Sequence, residues 1–357
     1  MSKVYNFNPG PAVLPEAVIA ASAAAVKEYN NTGMSLIEMS HRSKDVMEVM
    51  DGAVSLVKEL LKLPETYKVM FLQGGASLQF CMVPYNLLDD DAAAAYVETG
   101  AWSKKAIKEA KNFGDIKVLA SSSEKNFTFI PKGYEIPGDA KYLHITSNNT
   151  IYGTQYHTFP DTGIPLVADM SSDIFSRSFD VTKFGLIYAG AQKNMGPAGI
   201  TLVIVREDML GRVKRTIPTM LDYRTHIDKG SMFNTPPVFA LFVAYETLKW
   251  LKSIGGVEAI QESNVRKAGK LYQAIDDSAI FKGTAVKEDR SNMNVPFVME
   301  NKDLEPEFLP FALERGLVGL KGHRSVGGFR ASIYNAMPEA GIDALVSCMQ
   351  EFSQTKG

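Results

Sequence analysis

Short apolar runs recur between residues 68 and 205, and polar stretches with helical periodicity separate them. The runs are five to seven residues long and rich in Val, Ile, Leu and aromatic residues; they are 68–73, 93–99, 116–121, 142–146, 165–170, 185–190 and 201–205. Such alternation of strands and helices is typical of a mainly parallel sheet covered by helices on both faces. We therefore expect an α/β fold with a mainly parallel sheet of seven strands, with ligands at the carboxyl ends of its strands.

The pattern changes after about residue 236, where two long helices are predicted over 236–256 and 257–277. The last ninety or so residues predict a smaller α+β unit; its strands lie at 295–299 and 328–334, and its helices begin near Pro306 and Pro338. We expect a large domain over 16–260 and a small domain formed by 1–15 and 261–357, with the N-terminal arm beside the C-terminal unit.

Composition and charge exclude several classes of function. The chain has 357 residues, of which 45% are hydrophobic, and a formal charge of −2, so it has no general attraction to nucleic acid or to an anionic membrane. Cys81 and Cys348 form no metal or redox motif, and no metal ligand set is predicted. The start lacks a signal-peptide pattern, and no apolar run approaches the roughly 20 residues of a membrane span. We expect a soluble cytoplasmic protein.

One lysine stands at the end of a predicted buried strand. Lys193 follows the strand at 185–190 in a glycine-containing turn, and Asp169 ends the strand at 165–170. A lysine and an acid on two strand ends suit pyridoxal phosphate (PLP), since the lysine forms a Schiff base and the acid keeps the pyridine nitrogen protonated. Taken alone, Lys193 is more typical of an ordinary exposed lysine in a loop, because exposed lysines are common.

A glycine turn links the strand at 68–73 to a predicted helix. Gly75, Ala76 and Ser77 open this helix, so that free backbone N–H groups converge on one spot that favours an anion. The segment matches neither a Walker loop nor a G-x-G-x-x-G fingerprint, so no nucleotide is indicated. A phosphate of the cofactor is the ligand we expect, although turn chemistry alone also accounts for the glycines.

Four further side chains follow strands or precede helices. Trp102 begins a helix after the strand at 93–99, where its ring could stack on an aromatic cofactor or simply pack between helix and sheet. Thr150 follows the strand at 142–146 and could bond the cofactor ring or cap a helix. Asn234 and Thr235 precede a helix, which is also a position for ordinary caps.

Two of the five histidines directly precede an arginine. His41-Arg42 and His323-Arg324 lie in loop-like segments, and Arg330 begins the strand after the second pair. Arginine binds phosphate or carboxylate through a bidentate fork, and a neighbouring histidine adds a donor. The pairs indicate recognition of a doubly charged anion, with solvated surface arginines as the alternative.

Taken together, these motifs resemble the phosphoserine aminotransferases, which are class V aminotransferases of PLP fold type I. The resembling segments occur in the family's order along nearly the whole chain; they are NFNPGPAVLP (6–15), MSHRSKD (39–45), FLQGGAS (71–77), TGAWSKKA (99–106), ADMSSD (168–173), GAQKNMGPAG (190–199), FNTPP (233–237) and KGHRSVGGFRASIYN (321–335). The combination of KNMGPAG with KGHRSVGGFR is far more specific than a single lysine motif.

The resemblance implies a homodimer in which L-glutamate donates its amino group to 3-phosphohydroxypyruvate, giving O-phospho-L-serine and 2-oxoglutarate in serine biosynthesis. It implies the Schiff base at Lys193, the pyridinium partner at Asp169, and cofactor contacts at Gly75, Ala76, Ser77, Trp102, Thr150 and Gln192. Asn234 and Thr235 match the pair that reaches the phosphate from the neighbouring subunit. The resemblance also assigns binding of the substrate anions to five residues: His41, Arg42, His323, Arg324 and Arg330.

The chain departs from some family members at one position, since Ser77 stands where they have arginine. Several alternatives stay open at this point. The amino acceptor could include a phosphorylated hydroxythreonine of pyridoxine synthesis, and the enzyme could be another class V aminotransferase, such as an alanine or serine–glyoxylate type. A cysteine desulfurase fits poorly because both cysteines fall in helical, apolar patterns. A non-catalytic protein that binds anions or the cofactor is the alternative outside enzymes.

Overall fold

The structure is a computed structural model that describes residues 4–356. The strands are β1 (Tyr5–Asn6), β2 (Tyr67–Leu72), β3 (Ala93–Glu98), β4 (Asp115–Ser121), β5 (Leu143–Thr146), β6 (Leu166–Asp169), β7 (Phe184–Gly190), β8 (Thr201–Arg206), β9 (Phe281–Gly283), β10 (Asn294–Met299), β11 (Leu317–Val318) and β12 (Phe329–Ser332). The α-helices are α1 (Glu16–Lys27), α2 (Lys44–Leu60), α3 (Gly75–Leu87), α4 (Ala101–Ala110), α5 (Tyr223–Asp228), α6 (Val238–Ser253), α7 (Gly256–Asp276), α8 (Glu305–Glu314) and α9 (Glu339–Lys356). The predicted strands and helices are confirmed to within a few residues at each end.

Strands β2 to β8 form one sheet in the order β2-β8-β7-β6-β5-β3-β4. The pairs β7–β6, β6–β5, β5–β3 and β3–β4 are parallel, whereas β8 runs antiparallel to both of its neighbours, β2 and β7. The prediction of a mainly parallel sheet of seven strands is therefore confirmed. Because β8 is as apolar as a parallel strand, its direction was not visible in the hydrophobic pattern.

Apolar side chains cover both faces of this sheet. In β8, Leu202 and Ile204 pack with the layer formed by α2 and α6, while Val203 and Val205 pack with the layer formed by α3 and α4. All four side chains are fully buried. Each contributes about 1.5–3 kcal/mol relative to an exposed side chain, so burial on both faces fixes the strand between its helices.

A second apolar core unites the C-terminal elements. It joins α7, α8 and α9 to β9, β10 and β12, and Phe308 packs edge-on against Phe281 and Phe329 with ring centroids 5.1 and 4.9 Å apart. Phe7 from the N-terminal arm is buried in the same core, and β1 pairs in parallel with β11. The expected packing of the N-terminal arm beside the C-terminal unit is thus confirmed.

The two cysteines lie in helices, as their apolar surroundings predicted. Cys81 is in α3 and Cys348 is in α9, and both are free. Burial raises the pKa of Cys348 to about 11 and also raises the pKa of Cys81. Neither thiol has the lowered pKa that a reactive cysteine requires, so the arrangement disfavours desulfurase chemistry. No helix within residues 4–356 has the length and apolar character to cross a bilayer.

Candidate active site

The segments that leave three neighbouring strands meet at one edge of the large sheet. Strand β5 leads to Ser147, β6 leads to Ser171, and β7 ends at Gly190. The backbone N–H of Ser147 donates to the carbonyl oxygen of Asp169 at 3.0 Å, and the N–H of Gly190 donates to the hydroxyl of Ser171 at 3.1 Å. These hydrogen bonds hold the three segments in register beyond the sheet, as expected for a site at the carboxyl ends of parallel strands.

Two buried hydroxyl groups hold the amino group of Lys193. Its Nζ donates to Thr150 Oγ1 and to Ser172 Oγ, both at 2.7 Å, and the two hydroxyl oxygens are 2.6 Å apart. Burial lowers the pKa of Lys193 to about 8; the charge of Asp169 opposes this shift and the charge of Arg330 adds to it. A substantial fraction of the amine is therefore neutral near physiological pH, and only the neutral amine can attack a carbonyl carbon.

Asp169 is buried, with 5% of its surface exposed, at the end of β6. Its Oδ1 accepts a hydrogen bond of 3.0 Å from the backbone N–H of Ser171. Burial raises the pKa of Asp169, whereas Ser171 and the charge of Lys193 lower it. A cationic group bound against this carboxylate would offset the cost of its burial. The site thus suits a protonated ring nitrogen.

The turn between β2 and α3 offers backbone donors to an anion. Gly74 and Gly75 have φ values of +88° and +67°, a left-handed conformation that side chains rarely adopt. No side chain caps α3, and no acidic residue lies in its first turn. The first N–H groups of the helix, including those of Ala76 and Ser77, are therefore available to a phosphate.

Asn234 and Thr235 lie next to this turn in the same chain. The side-chain amide of Gln73 donates to the carbonyl oxygen of Thr235 at 2.6 Å, and the amide of Asn234 lies 3.5 Å from Gln73 Oε1. Both Asn234 and Thr235 are exposed. They are thus placed at the surface beside the predicted anion turn, with their side chains accessible to another molecule.

Trp102 is the second residue of α4 and stands over the same edge of the sheet. Its Nε1 is buried without a hydrogen-bond partner, and the Lys105 ammonium lies 4.4 Å from the centroid of its ring. The turn before α4 approaches Asn149 so closely that a Cβ atom at Gly100 would lie 1.7 Å from Asn149 Nδ2. Only glycine permits this approach, which sets Trp102 beside the segment that carries Thr150.

Gln192 joins the lysine turn to the N-terminal arm. Its carbonyl oxygen accepts a hydrogen bond of 2.9 Å from the N–H of Ala12. A Cβ atom at Gly10 would lie 3.4 Å from the Cγ atom of Lys193, so the arm crosses directly over the lysine side chain. The arm therefore limits access to Lys193 from one side.

Arg330 places a buried positive charge near the lysine. It lies in β12 with 6% of its surface exposed, and its Nε has no hydrogen-bond partner in residues 4–356. Burial lowers the pKa of Arg330, and its charge in turn lowers the pKa of Lys193 and of His323. A buried guanidinium with an unsatisfied donor is costly unless an anion binds to it. The geometry fits a substrate carboxylate.

The two His-Arg pairs occupy different environments. His323 Nδ1 lies 2.7 Å from Ser325 Oγ, and burial, together with Arg330, Arg324 and Lys105, lowers the pKa of His323. Arg324 is exposed on the same loop. His41 and Arg42 precede α2, where Arg42 is exposed. The structure therefore brings Arg330 near the lysine and His323 near Arg330. Within residues 4–356, no hydrogen bond or ion pair joins the side chains of His41 and Arg42 to Lys193, Thr150 or Ser172.

Sequence reasoning missed two residues that touch the lysine or its turn. Ser172 accepts a hydrogen bond from Lys193, and Asn194 donates through Nδ2 to the carbonyl oxygens of Ser172 and Ile174 at 3.3 and 3.1 Å. The signal was present, because Ser172 follows Asp169 by three positions and Asn194 directly follows Lys193. Serine and asparagine in loops are too common to be noticed without the fold.

These residues fit pyridoxal phosphate. An amine with a lowered pKa, a buried carboxylate in need of a cation, an aromatic ring and an uncapped helix start correspond to the aldehyde, ring nitrogen, ring face and phosphate of that cofactor. The correspondence rests on the donor set and its burial. Each of these groups reaches the same edge of the sheet from a different strand.

Comparisons with known proteins agree with this geometry. The model of the family aminotransferase class V matches residues 4–345. The phosphoserine aminotransferase of Azobacteroides pseudotrichonymphae is 58% identical over 99% of this chain and 98% of its own length. That of Phocaeicola vulgatus is 57% identical over 99% of both chains.

Solved structures show the same fold over the whole chain. Phosphoserine aminotransferase from Bacillus circulans subsp. alkalophilus superposes with a TM-score of 0.97 at 48% identity, covering 99% of both chains. The PLP-bound enzyme from Trichomonas vaginalis superposes with a TM-score of 0.93 at 41% identity, covering 98% of this chain and 100% of the other. An alanine–glyoxylate aminotransferase from Nostoc is only 13% identical at a TM-score of 0.77, which is a likeness of fold alone.

Proposed function

The chain belongs to the aminotransferase class V family, and on that premise we propose that it is a phosphoserine aminotransferase. It transfers the amino group of L-glutamate to 3-phosphohydroxypyruvate and forms O-phospho-L-serine and 2-oxoglutarate. The observation that carries the proposal is the amine of Lys193, whose pKa is lowered to about 8 and which two buried hydroxyls hold. Identity of 58% over nearly the full length of a relative with this name supports the substrate pair.

Pyridoxal phosphate is the cofactor, and when bound it supplies a carbonyl carbon for an amine and a ring that withdraws electrons. Lys193 would hold it covalently, and Asp169 would keep its ring nitrogen protonated. Trp102 would stack on its ring face. The N–H groups at Gly75, Ala76 and Ser77, together with Gln192, would hold the phosphate. Thr150, which accepts a hydrogen bond from the Lys193 amine, would also hydrogen-bond to the ring.

Lys193 also moves the proton of the substrate Cα. Its neutral amine would accept that proton and then deliver it to the C4′ carbon of the cofactor, acting first as a base and then as an acid. The pKa of about 8 suits both directions of transfer, because neither protonation state is strongly favoured near neutral pH. Thr150 and Ser172 orient the amine, since both hydroxyls accept its N–H groups at 2.7 Å.

The substrates carry two or more negative charges, and the site meets them with cations. Arg330 would bind the carboxylate, since it is buried and its Nε has no hydrogen-bond partner among the described residues. His323 and Arg324 lie on the loop beside it, where they would bind the distal anion. We propose that His41 and Arg42 also take part in this recognition, at a site that has Ser77 where some relatives have arginine.

The enzyme works as a cytoplasmic homodimer. Asn234 and Thr235 reach the cofactor phosphate of the neighbouring subunit, which agrees with their exposure beside the anion turn. Arg42 is likewise exposed and available to a second copy of the chain. Two equivalent sites in a two-fold dimer would then each contain side chains from both subunits.

Steady-state kinetics test the proposed substrate. With glutamate as donor, kcat/KM for 3-phosphohydroxypyruvate should exceed that for hydroxypyruvate by about 100-fold, because each charge-assisted hydrogen bond contributes about 1.5–3 kcal/mol. Arg324→Ala and Arg42→Ala should raise KM for the phosphorylated substrate only. Equal losses on both substrates would contradict the phosphate role. A preference for glyoxylate as amino acceptor, with alanine or serine as donor, would instead favour an alanine or serine–glyoxylate aminotransferase.

A further inference from the structure

A fully buried lysine lies outside the site described above. Lys267 in α7 has only 1% of its surface exposed. All the hydrogen bonds that its Nζ makes go to backbone carbonyl oxygens of one short segment, with distances of 3.3 Å to Ile333, 2.9 Å to Tyr334, 3.3 Å to Asn335 and 3.1 Å to Met337. Such complete burial is rare for lysine.

The ligand set identifies which form of Lys267 the segment requires. An ammonium group has three donors and no acceptor, so it satisfies converging carbonyl oxygens, whereas a neutral amine would turn a lone pair toward at least one of them. Burial lowers the pKa of Lys267 to about 7, and the charge of Glu339 opposes the shift. Because a charge buried among neutral groups is costly, an apolar side chain would serve the core better.

The carbonyl oxygens belong to a segment that α7 holds at two points. Residues 333–337, called the carbonyl segment below, directly follow β12. Asn264, one helical turn before Lys267, donates to Asn335 Oδ1 at 2.8 Å and to the carbonyl oxygen of Ser176 at 3.1 Å. Asn264 and Lys267 therefore both form hydrogen bonds to the carbonyl segment from the same face of the helix.

The carbonyl segment in turn holds the lysine turn. The backbone N–H of Asn335 donates to Asn194 Oδ1 at 3.0 Å, and its side-chain amide donates to the carbonyl oxygen of Phe175 at 2.9 Å. Asn194 is the residue after Lys193 and also donates to the carbonyl oxygen of Ser172. A continuous path of hydrogen bonds thus runs from Lys267 through Asn335 and Asn194 to the residues around the Lys193 amine.

We propose that Lys267 is a positioning residue whose ammonium group fills a cation site of backbone carbonyl oxygens and so fixes the carbonyl segment between Lys193 and Arg330. Arg330 lies in β12, three residues before the segment begins, and Lys193 adjoins Asn194 at the other end of the path. The inference rests on the proposed function only for the roles of Lys193 and Arg330. The cation site itself concerns the fold and is measured separately.

Replacing the fixed cation with a diffusible one tests the proposal in the PLP-loaded enzyme. Lys267→Ala removes the ammonium and leaves space beside the carbonyl oxygens. Potassium is the probe, because carbonyl oxygens coordinate it and it cannot react with the cofactor. Tetramethylammonium at equal ionic strength is the control, since it has the same charge and is too large for the space. Hydrogen exchange of the carbonyl segment and the visible absorption spectrum at fixed pH are the two readouts.

In tetramethylammonium chloride, the amide hydrogen of Asn335 in Lys267→Ala should exchange with solvent about tenfold faster than in the unmodified chain, because local opening of the carbonyl segment becomes easier. Its visible spectrum should also change, which a purely structural role distant from Lys193 would not cause. Potassium chloride should return both readouts toward those of the unmodified chain. The same response in both salts would overturn the proposal.

Two further variants keep the test decisive. Lys270 lies on the same helix as Lys267, but it is exposed and pairs with Asp343 at 2.5 Å. Lys270→Ala is therefore the control and should change neither readout in either salt. Lys267→Met fills the space without a charge. Its Asn335 amide should therefore exchange faster than that of the unmodified chain, and potassium should change neither readout. If Lys267→Met exchanged and absorbed like the unmodified chain, the proposal would be overturned. Failure of both Lys267 variants to fold in either salt would also overturn it, since the lysine would then support the fold in general.

The outcomes separate this inference from the proposed function. An unmodified chain that shows no turnover with glutamate and 3-phosphohydroxypyruvate contradicts the function, whatever the exchange data show. An active chain whose Lys267 variants keep the original exchange and spectrum contradicts only the role of Lys267.

Discussion

The reactivity of Lys193 is set by the few groups that surround its amine. Burial and the charge of Arg330 favour the neutral form, the charge of Asp169 favours the ammonium form, and the balance lowers the pKa to about 8. The hydroxyls of Thr150 and Ser172 accept the N–H groups of the amine. Thr150 was expected to contact the cofactor ring or to cap a helix, so its hydrogen bond with the amine was not predicted, and Ser172 was not singled out at all. A hydroxyl becomes informative only when its distance to a charged group is known, and a sequence contains no such distance.

The rate at which the cofactor-free protein captures pyridoxal phosphate should follow the neutral fraction of Lys193. We expect this rate to rise with pH through a midpoint near pH 8, because the ammonium form cannot attack a carbonyl. The measurement is the growth of the visible absorption band after mixing, at a series of pH values. A rate that is flat between pH 6 and 10, about two units either side of the midpoint, would show that Lys193 does not titrate there.

Ser172→Ala should shift that midpoint to lower pH. The hydroxyl of Ser172 accepts an N–H of the ammonium, so its loss removes stabilisation of the charged form. A lost hydrogen bond to a charged group is worth about 1.5–3 kcal/mol, which corresponds to about one to two pH units. Ser325→Ala, on the His323 loop, is the control and should leave the midpoint unchanged. An upward shift in Ser172→Ala would contradict this account of the hydrogen bond.

Among the elements, long strands and helices were predictable and short strands were not. Six of the seven strands of the large sheet bury several apolar residues, and the seventh, the edge strand β4, is apolar in sequence although none of its residues is fully buried. Their positions were therefore evident from the sequence. β1 and β11 are two residues each, and they exist because Tyr5 pairs with Leu317 and Asn6 pairs with Val318 across the chain. A strand stabilised by a partner so distant in sequence has no local pattern that identifies it.

The turn before α3 allows a matched comparison of two glycines. In Gly75→Ala the new Cβ atom would have no neighbour within 4 Å, so the only cost is the left-handed backbone conformation. The substitution should therefore lower the free energy of unfolding by about 1–2 kcal/mol. Gly74→Ala should cost more, because its Cβ would also lie 2.5 Å from Leu78 Cδ2. Urea denaturation of the cofactor-free proteins measures both values. Equal losses, or none, would contradict the conformation described for this turn.

At the scale of the whole molecule, the division of the chain at residues 16 and 260 stays a prediction. Phe7 shares a buried core with α7, α8 and α9, which is consistent with an N-terminal arm that belongs to the small domain. The same arm also contacts Gln192 in the lysine turn. Contacts to both parts are the reason why a boundary placed from sequence pattern alone stays approximate.

The proposed sharing of sites across a dimer predicts complementation between two inactive chains. Lys193→Ala supplies intact Asn234 and Thr235, and a chain with Asn234→Ala and Thr235→Ala supplies Lys193. After equal mixing and subunit exchange, half of the dimers are mixed and each has one intact site, so activity should reach about one quarter of that of the unmodified enzyme. Activity no higher than the sum of the two parents would mean that each chain builds its own site.

The central claim is that Lys193 binds pyridoxal phosphate and that glutamate transfers its amino group to this cofactor. The most direct measurement is the absorption spectrum of the purified protein incubated with pyridoxal phosphate, recorded before and after addition of glutamate alone. The account predicts a visible band that disappears with glutamate and is absent in Lys193→Ala. A protein that stays colourless after incubation with the cofactor, or a band that glutamate does not change, would contradict it.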